Sequence, residues 1–356
     1  MSSASTHDRT TAHDIVPVDP RTDARWLRLA GSQAGSVFTS PPWISAVCGT
    51  YGFSPEARIA VDRTGAPVAG FTWAVVDDLR GRRTVSLPFS DRAEPLCDSG
   101  DLWRELARDC LGSDVPFSVR CFDGSPVSRD PGLVRVGEAA WHGTPLSGPL
   151  DAVSERFSRG VRRNIRLGRR RGVRVLASTE QWAVHAFHRL HVGLRKRKYR
   201  LLAQPLGFLD RVWEEFAPRD GVVTFLAYID DEIVAGAVYL VWNDVLYYKY
   251  SASDLDRLTA RPNEAIAWSA IQWAVQRDLT LLDWGLSDLD QPGLLAYKRR
   301  WGCVEKRIGT WKARPAHGTD AETGRLLRNL TDLLTDDAVP DDVTARAGAL
   351  LYRYFC

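Results

Sequence analysis

Val222-Val-Thr-Phe-Leu-Ala-Tyr-Ile-Asp-Asp-Glu-Ile-Val-Ala-Gly-Ala-Val-Tyr-Leu-Val-Trp-Asn-Asp-Val-Leu-Tyr-Tyr-Lys-Tyr-Ser251 is rich in β-branched and aromatic residues and interrupted by short polar breaks. It predicts strands over Val222–Asp230, Ile233–Val241 and Val245–Ser251, the first two joined as a hairpin at Asp230-Asp231. Downstream, Pro262 opens a helix to Arg277 with Ile266, Ala270, Ile271 and Ala274 on one side. A buried strand Leu281–Gly285, a helix Gly293–Trp301 and a strand Glu305–Trp311 come next, and two acidic helices follow Pro315. Upstream lie a basic helix Arg156–Arg171, a strand Val173–Leu176 and helices Glu180–Arg197 and Leu206–Phe216. The first half reads as helices Val16–Ala30 and Pro42–Val47, strands Arg58–Val61, Pro67–Val76 and Arg83–Leu87, a helix Leu102–Leu111, and strands Phe117–Phe122 and Leu133–Val136. Each half thus offers an antiparallel meander, then helix and strand, which predicts an α+β protein made by duplication of one module. The turn-rich run Gly143-Thr-Pro-Leu-Ser-Gly-Pro-Leu150 is the expected boundary, and Met1–Asp14 is expected to be a disordered leader.

The 356 residues are 44% hydrophobic and 26% charged, enough for one large core or two domains. The longest strongly apolar run, Ile233–Trp242, has half the roughly 20 residues that a membrane helix needs, so no integral membrane contact is expected. Cys48, Cys97, Cys110, Cys121, Cys303 and Cys356 form no C-x-x-C pair, which fits reduced thiols and a cytoplasmic setting. Dinucleotide, P-loop, zincin and nucleophile-elbow motifs are absent from the sequence. His185, His188 and His191 are three apart, but they spread over about 120° of a helix, so no metal is expected.

Charge is distributed unevenly. Arg156–Arg200 holds 15 Lys and Arg against the single acid Glu180, a local +14 that leaves the rest of the chain at −11. Arg159, Arg163, Arg166 and Arg170 share one helical face, opposite Phe157, Val161 and Ile165. A second cluster, Arg195-Lys196-Arg197-Lys198, follows one helix later. Guanidiniums in such a row fork onto phosphates, so both clusters are expected to hold RNA backbone, charged tRNA in particular.

Phe225–Gly236, Tyr248-Lys-Tyr-Ser-Ala-Ser253, Arg261-Pro-Asn-Glu264, Leu282-Asp-Trp-Gly285 and Tyr297-Lys-Arg-Arg-Trp-Gly302 occur in one order. They are preceded by Val37-Phe-Thr-Ser-Pro-Pro-Trp43, Ser86-Leu-Pro-Phe-Ser-Asp-Arg-Ala-Glu-Pro-Leu-Cys-Asp98 and Arg163-Asn-Ile-Arg166. The set resembles the FemABX-like branch of the GNAT acyltransferase superfamily, over about Val37 to Arg314. The resemblance implies tandem GNAT-like domains at 15–150 and 151–314, with a helical tail at 315–356. It also implies transfer of an acyl group to an amine. Better-known members move an aminoacyl group from charged tRNA to a peptidoglycan precursor, relatives serve peptide or nucleoside natural products, and others use acyl-CoA.

Ordinary GNAT enzymes cradle the CoA pyrophosphate on a glycine-rich loop at a helix N-terminus. Here the equivalent Ala252–Arg261 has no glycine and carries Asp254 and Asp256. The expectation is therefore aminoacyl-tRNA as donor co-substrate, no other cofactor, and amide formation on a small amine-bearing acceptor. An acyl-CoA N-acyltransferase and a non-catalytic RNA-binding module are the alternatives. The resemblance makes Lys298 an oxyanion or phosphate contact and Asp98 a proton acceptor or acceptor-fixing group, with Asp91 as substitute. Trp43, Arg261 and Asn263 become substrate-binding candidates. Tyr248 and Tyr250, alternating with Lys249, are expected on one strand face with hydroxyls that orient substrate. The Trp43 helix lacks the lysine that the resemblance would supply for a nucleotide-linked precursor, so a peptide or nucleoside natural-product intermediate stands beside the peptidoglycan precursor as the expected acceptor.

Overall fold

The computed structural model describes residues 13–32, 34–313 and 319–356, the side chains of 319 and 320 excepted. Its strands are β1 (Asp14–Val18), β2 (Ser54–Val61), β3 (Pro67–Asp78), β4 (Gly81–Val85), β5 (Phe117–Phe122), β6 (Val134–Pro145), β7 (Arg174–Ser178), β8 (Val222–Ile229), β9 (Glu232–Trp242), β10 (Val245–Ser253), β11 (Leu281–Asp288) and β12 (Val304–Ala313). Its helices are α1 (Ala24–Ala30), α2 (Pro41–Tyr51), α3 (Gly100–Leu106), α4 (Arg108–Gly112), α5 (Leu150–Glu155), α6 (Arg159–Arg170), α7 (Gln181–Tyr199), α8 (Leu206–Phe216), α9 (Pro262–Val275), α10 (Pro292–Arg299), α11 (Thr319–Leu334) and α12 (Asp341–Leu351). None of the described helices is long and apolar enough to cross a membrane.

All the strands join one α+β sheet of order β1-β2-β3-β4-β5-β12-β6-β11-β10-β9-β8-β7. The order mirrors itself about its middle, except that the last strands of the two halves have changed places. Strand β12 pairs with β5, β6 pairs with β11, and β6 and β12 pair with each other. Pairing is antiparallel except at two short parallel contacts, Thr84–Val85 on Phe117–Ser118 and Val245–Tyr247 on Leu281–Asp283. Beyond each contact the two strands diverge.

Local chemistry accounts for the elements. Asp230-Asp231 and Asn243-Asp244 have φ between +48° and +65°, the left-handed pair that a two-residue hairpin requires. The helix expected over Val16–Ala30 is instead β1 followed by α1, because Pro17 and Pro20 cannot sit inside a helix whereas an edge strand tolerates proline. Asp23 accepts from the Arg25 N–H at 2.8 Å and starts α1. Of the expected leader, residues 1–12 lie outside the described residues, and Asp14 already belongs to β1. The turn-like Gly143-Thr-Pro145 is not a loop but the end of β6. A Cβ at Gly143 would stand 2.3 Å from the Trp141 ring, so glycine here serves close packing instead of a turn.

Three apolar cores flank the sheet. One lies between the halves, where Phe38, Trp43 and Tyr51 meet Phe208, Tyr247 and Tyr250. The second packs Phe157, Trp284 and Trp301 under α9, and the third packs Phe71, Trp73, Trp103 and Phe117 under α3. Asn243 and Trp242 fasten the halves further, donating to the Ala30 carbonyl at 2.8 Å each. The strand exchange leaves neither half with a complete sheet. A fragment of residues 1–149 is therefore expected to show no cooperative melt by circular dichroism, and co-expression with 150–356 to restore one. A cooperative melt of the lone fragment at the full chain's temperature would contradict this.

Candidate active site

Strand β10 pairs with β9 in register as far as Tyr248 opposite Tyr239, and resumes with Tyr250 opposite Val238. Lys249 is the extra residue of a β-bulge, and the bulge reverses the inward–outward alternation. Tyr248 and Tyr250 therefore do not share a face. Tyr248 packs on Tyr239 and Trp284, with ring centroids 5.2 and 5.5 Å away, whereas Tyr250 lies in the core between the halves. The bulge turns Lys249 toward that same core, its Nζ 4.6 Å from the centroid of Phe38 and 4.9 Å from that of Trp43.

Strand β11 is irregular at the matching height, its register on β6 shifting between Asp283 and Leu286 while Gly285 adopts φ +69°. Side chains satisfy the backbone groups thus exposed. The Gly285 N–H donates to Asp283 at 2.7 Å and the Leu286 N–H to Asp91 Oδ2 at 3.0 Å. Lys298 Nζ donates to the carbonyls of Gly285 and Leu286 at 3.1 and 3.2 Å. Asp91 Oδ1 accepts from Lys249 Nζ at 2.9 Å, so one carboxylate from the first half bridges β10 and β11 where they diverge. Gly285 makes room for it, since a Cβ there would stand 2.5 Å from Asp91 Oδ2. The loop carrying Asp91 is itself strained, with Leu87 at φ 112° and Phe89 at φ 60°.

Burial alone would raise the Asp91 carboxyl pKa. Lys249, the Leu286 N–H and Lys298 outweigh it and hold the group below the ordinary carboxylate value. Burial pushes the Lys298 ammonium down to about 8 against the pull of Asp91 and Asp283. The Tyr250 phenol is driven well above 10 by burial, so it remains an O–H donor. Burial likewise keeps His191 neutral, at about 3, its Nε2 2.6 Å from Gln204 Oε1.

A cavity of about 850 Å3 opens above this cluster, and Lys249, Asp91, Tyr250, Ser90, Arg120 and Lys312 are among the residues that line it. Of the candidate catalytic residues, Asp91 and Tyr250 face it. Lys298 does not: it is 2% exposed and held behind β11 by the carbonyls of Gly285 and Leu286. Tyr248 lies on the far face of the sheet. Asp98 is exposed and borders a separate depression with Glu94 and Lys306, away from Lys249. Trp43 is fully buried under Lys249 and donates its indole N–H to Ser90 Oγ at 2.8 Å, so it forms the floor without contacting the cavity. Arg261 and Asn263 lie at the start of α9, where Asn263 accepts from Ser253 Oγ at 2.6 Å. Lys249 is the residue that the sequence reading passed over, and its signal was a lone cation among the tyrosines of an otherwise apolar strand.

The two basic clusters differ. Arg159, Arg163, Arg166 and Arg170 are exposed on α6, whose underside packs on the first turn of α9. There Asn164 donates to Glu264 at 2.8 Å, Arg171 donates to the Thr259 carbonyl at 2.9 Å, and Gly168 abuts the carbonyls of Ala260 and Arg261. The cluster 195–198 does not form an outward patch, because the acidic tail neutralises it. Lys196 is 3% exposed and donates to the Val339 carbonyl and to Asp341, and Arg197 pairs with Asp341 at 2.7 Å. Arg195 donates to the Leu202 carbonyl at 3.2 Å and lines the cavity, while Lys198 is exposed beside the Tyr199 ring.

Comparison with protein families matches residues 155–299 to the acetyltransferase (GNAT) domain. The chain contains a GNAT acyltransferase domain. The fold agrees with that of FemX, at a TM-score of 0.64 and 14% identity over 88% of this chain and 100% of that one. A tandem GNAT protein from the clavulanic acid biosynthesis pathway is similar at a TM-score of 0.54 and 11% identity, over 86% of this chain and 100% of that one. No curated protein matches the sequence. The protein is thus an acyltransferase with the FemX-like tandem GNAT fold, and its GNAT domain spans α6, β10 with its bulge, β11 and α10.

Asp91→Asn would leave the Lys249 ammonium buried without its counter-charge, and an expected loss of about 3 kcal/mol at pH 7 is measurable by urea titration. The Asp91 pKa is depressed on folding, so its contribution is complete above about pH 4 and vanishes as the pH falls through the folded value. The wild-type advantage over the variant should shrink in acid. Lys298 has the same sign at alkaline pH, because burial disfavours its charged form. With a folded pKa of about 8 against 10.5 unfolded, wild-type stability relative to Lys298→Met should rise from pH 8 to about 10.5. A flat difference over that range would contradict the buried ammonium.

Proposed function

We propose that the protein transfers an aminoacyl group from charged tRNA to the amine of a small acceptor bound in the cavity, in the cytoplasm, where charged tRNA is made. In this reaction the acceptor nitrogen attacks the ester carbonyl and forms the amide C–N bond. The tetrahedral intermediate then expels the ribose oxygen of the tRNA terminus, and the proton lost by the amine passes to that leaving oxygen. No covalent enzyme intermediate and no redox step are needed. Lys249 supplies positive charge to the developing oxyanion, and Asp91 fixes its direction and stays ionised. Tyr250, a phenol at every relevant pH, donates to the leaving oxygen or relays the proton.

The position of α6 carries the choice of donor. It covers the N-terminal turn of α9, where GNAT enzymes that use CoA hold the pyrophosphate, and Glu264 already occupies that first turn. The opposite face of α6 presents Arg159, Arg163, Arg166 and Arg170 to solvent. A closed anion cradle beneath an exposed row of guanidiniums favours an RNA backbone over a CoA pyrophosphate.

The test is a titration of the full chain with aminoacylated tRNA and, separately, with acetyl-CoA, each at several salt concentrations. Binding of the tRNA should weaken steeply with salt. Replacing the four α6 arginines by alanine should lower the slope of log K against log salt by roughly 3, at 0.7 to 0.9 per phosphate contact. Saturable acetyl-CoA binding with salt-insensitive tRNA binding would overturn the donor assignment.

A further inference from the structure

Thr310 and Lys312 reach the cavity because β12 has been inserted beside β5, Thr310 standing opposite Arg120 and Lys312 opposite Ser118. Arg120 is half-buried. Its Nε donates to Thr310 Oγ1 at 3.3 Å and a terminal N–H donates to the Ser90 carbonyl at 3.3 Å, which fixes the plane of the guanidinium. Arg82 on β4 and Arg195 on α7 line the same cavity. Among the described residues, none of these four cations has a carboxylate partner. Of the aspartates in the lining, Asp91 is committed to Lys249, which leaves Asp288. Other cations are neutralised, as Arg83 in the same lining is by Asp78 and Lys196 on α7 by Asp341. Four unneutralised cations around one cavity repel each other and focus a positive field into it, an arrangement suited to an anionic ligand.

We propose that the wall formed by Arg120 and Lys312 is an anion subsite. The acceptor carries a carboxylate or a phosphate gripped by these two side chains, with Arg82 and Arg195 adding field from the sides. A planar guanidinium already oriented by Thr310 and Ser90 presents its remaining N–H groups as a fork for such an oxyanion. With the anion there, the acceptor amine has Lys249 and Asp91 within the same cavity, since Arg120 is bonded to the carbonyl of Ser90, the residue before Asp91. The proposal rests on the reading that the cavity holds the acceptor, and it names that acceptor's class as an amine-bearing acid. The exchanged strand thereby gives the second half of the chain a part in recognising a ligand on the first half's sheet.

Calorimetric titration of the full chain with inorganic phosphate, inorganic pyrophosphate and L-glutamate tests this in the absence of RNA. At least one probe should bind saturably, with Kd raised tenfold or more in Arg120→Gln and in Lys312→Gln and unchanged in Arg189→Gln, an exposed site on α7. Binding of the phosphates without glutamate identifies a phosphate group, and the converse identifies a carboxylate. Thermal melts check the fold of each variant, and Arg82→Gln, at an exposed position on β4, reads the same wall if Arg120→Gln does not fold. Absence of saturable binding by all three probes would overturn the subsite, as would equal binding in the variants. So would variants that weaken charged-tRNA binding while leaving the anion titrations intact. Replacing the four α6 arginines should leave the anion titrations unchanged, so a failed tRNA donor and a failed anion subsite are read separately.

Discussion

The carboxylate of Asp91 lies where two strands part, and the site is organised around it. Its Oδ1 takes the ammonium of Lys249 from β10 and its Oδ2 takes the Leu286 N–H from β11. A parallel pair that diverges leaves peptide groups without partners, and buried peptide groups must find them. Here a charged group from the other half of the chain supplies the missing acceptor. The same contact docks the first half on the second and sets the cation at the cavity floor. It also requires Gly285, because any side chain there would occupy the carboxylate's position. Lys298, on the opposite side of the kink, ties the two adjacent carbonyls and so fixes the N–H that Asp91 receives.

The strand exchange imposes a second constraint. With β12 against β5 and β6 against β11, the centre of the sheet is common property of both halves. The cavity draws its walls accordingly from both, with Arg120 on β5 facing Thr310 on β12. A duplicated module would ordinarily carry one cleft per copy. In this protein the second copy's opening is filled by Asp91 from the first, and its helix start is covered by α6. One shared cavity is left with cations from both copies.

Much of this was legible in the sequence because the relevant signals are local. The β-branched runs 222–251 gave three strands, the Asp-Asp pair a hairpin, and the spacing of Arg159, Arg163, Arg166 and Arg170 an exposed helical face. What was missed depends on pairing across the chain. A bulge at Lys249 cannot be read from alternation, so Tyr248 and Tyr250 fell on one face in the sequence and on two in the structure. Gly143 and Pro145 look like turn residues until Trp141 is seen to need the space. Lys196 looked like a phosphate ligand because its partner, Asp341, lies 145 residues along the chain. The resemblance put Asp98 ahead of Asp91, and only the fold brings Asp91 to Lys249 and leaves Asp98 exposed.

The place of β12 also bears on how the chain is made. Strand β5 is complete at Phe122, but the strand that covers its open side begins at Val304, about 180 residues later. At the roughly 5–20 residues per second of synthesis, that edge waits on the order of ten to forty seconds for its partner. An unpaired edge of alternating apolar residues is an invitation to other nascent chains. Arg120, in the middle of β5 and facing the future cavity, places a positive charge on that edge throughout the delay. A charge at that position disfavours pairing of the exposed edge with another chain during the delay.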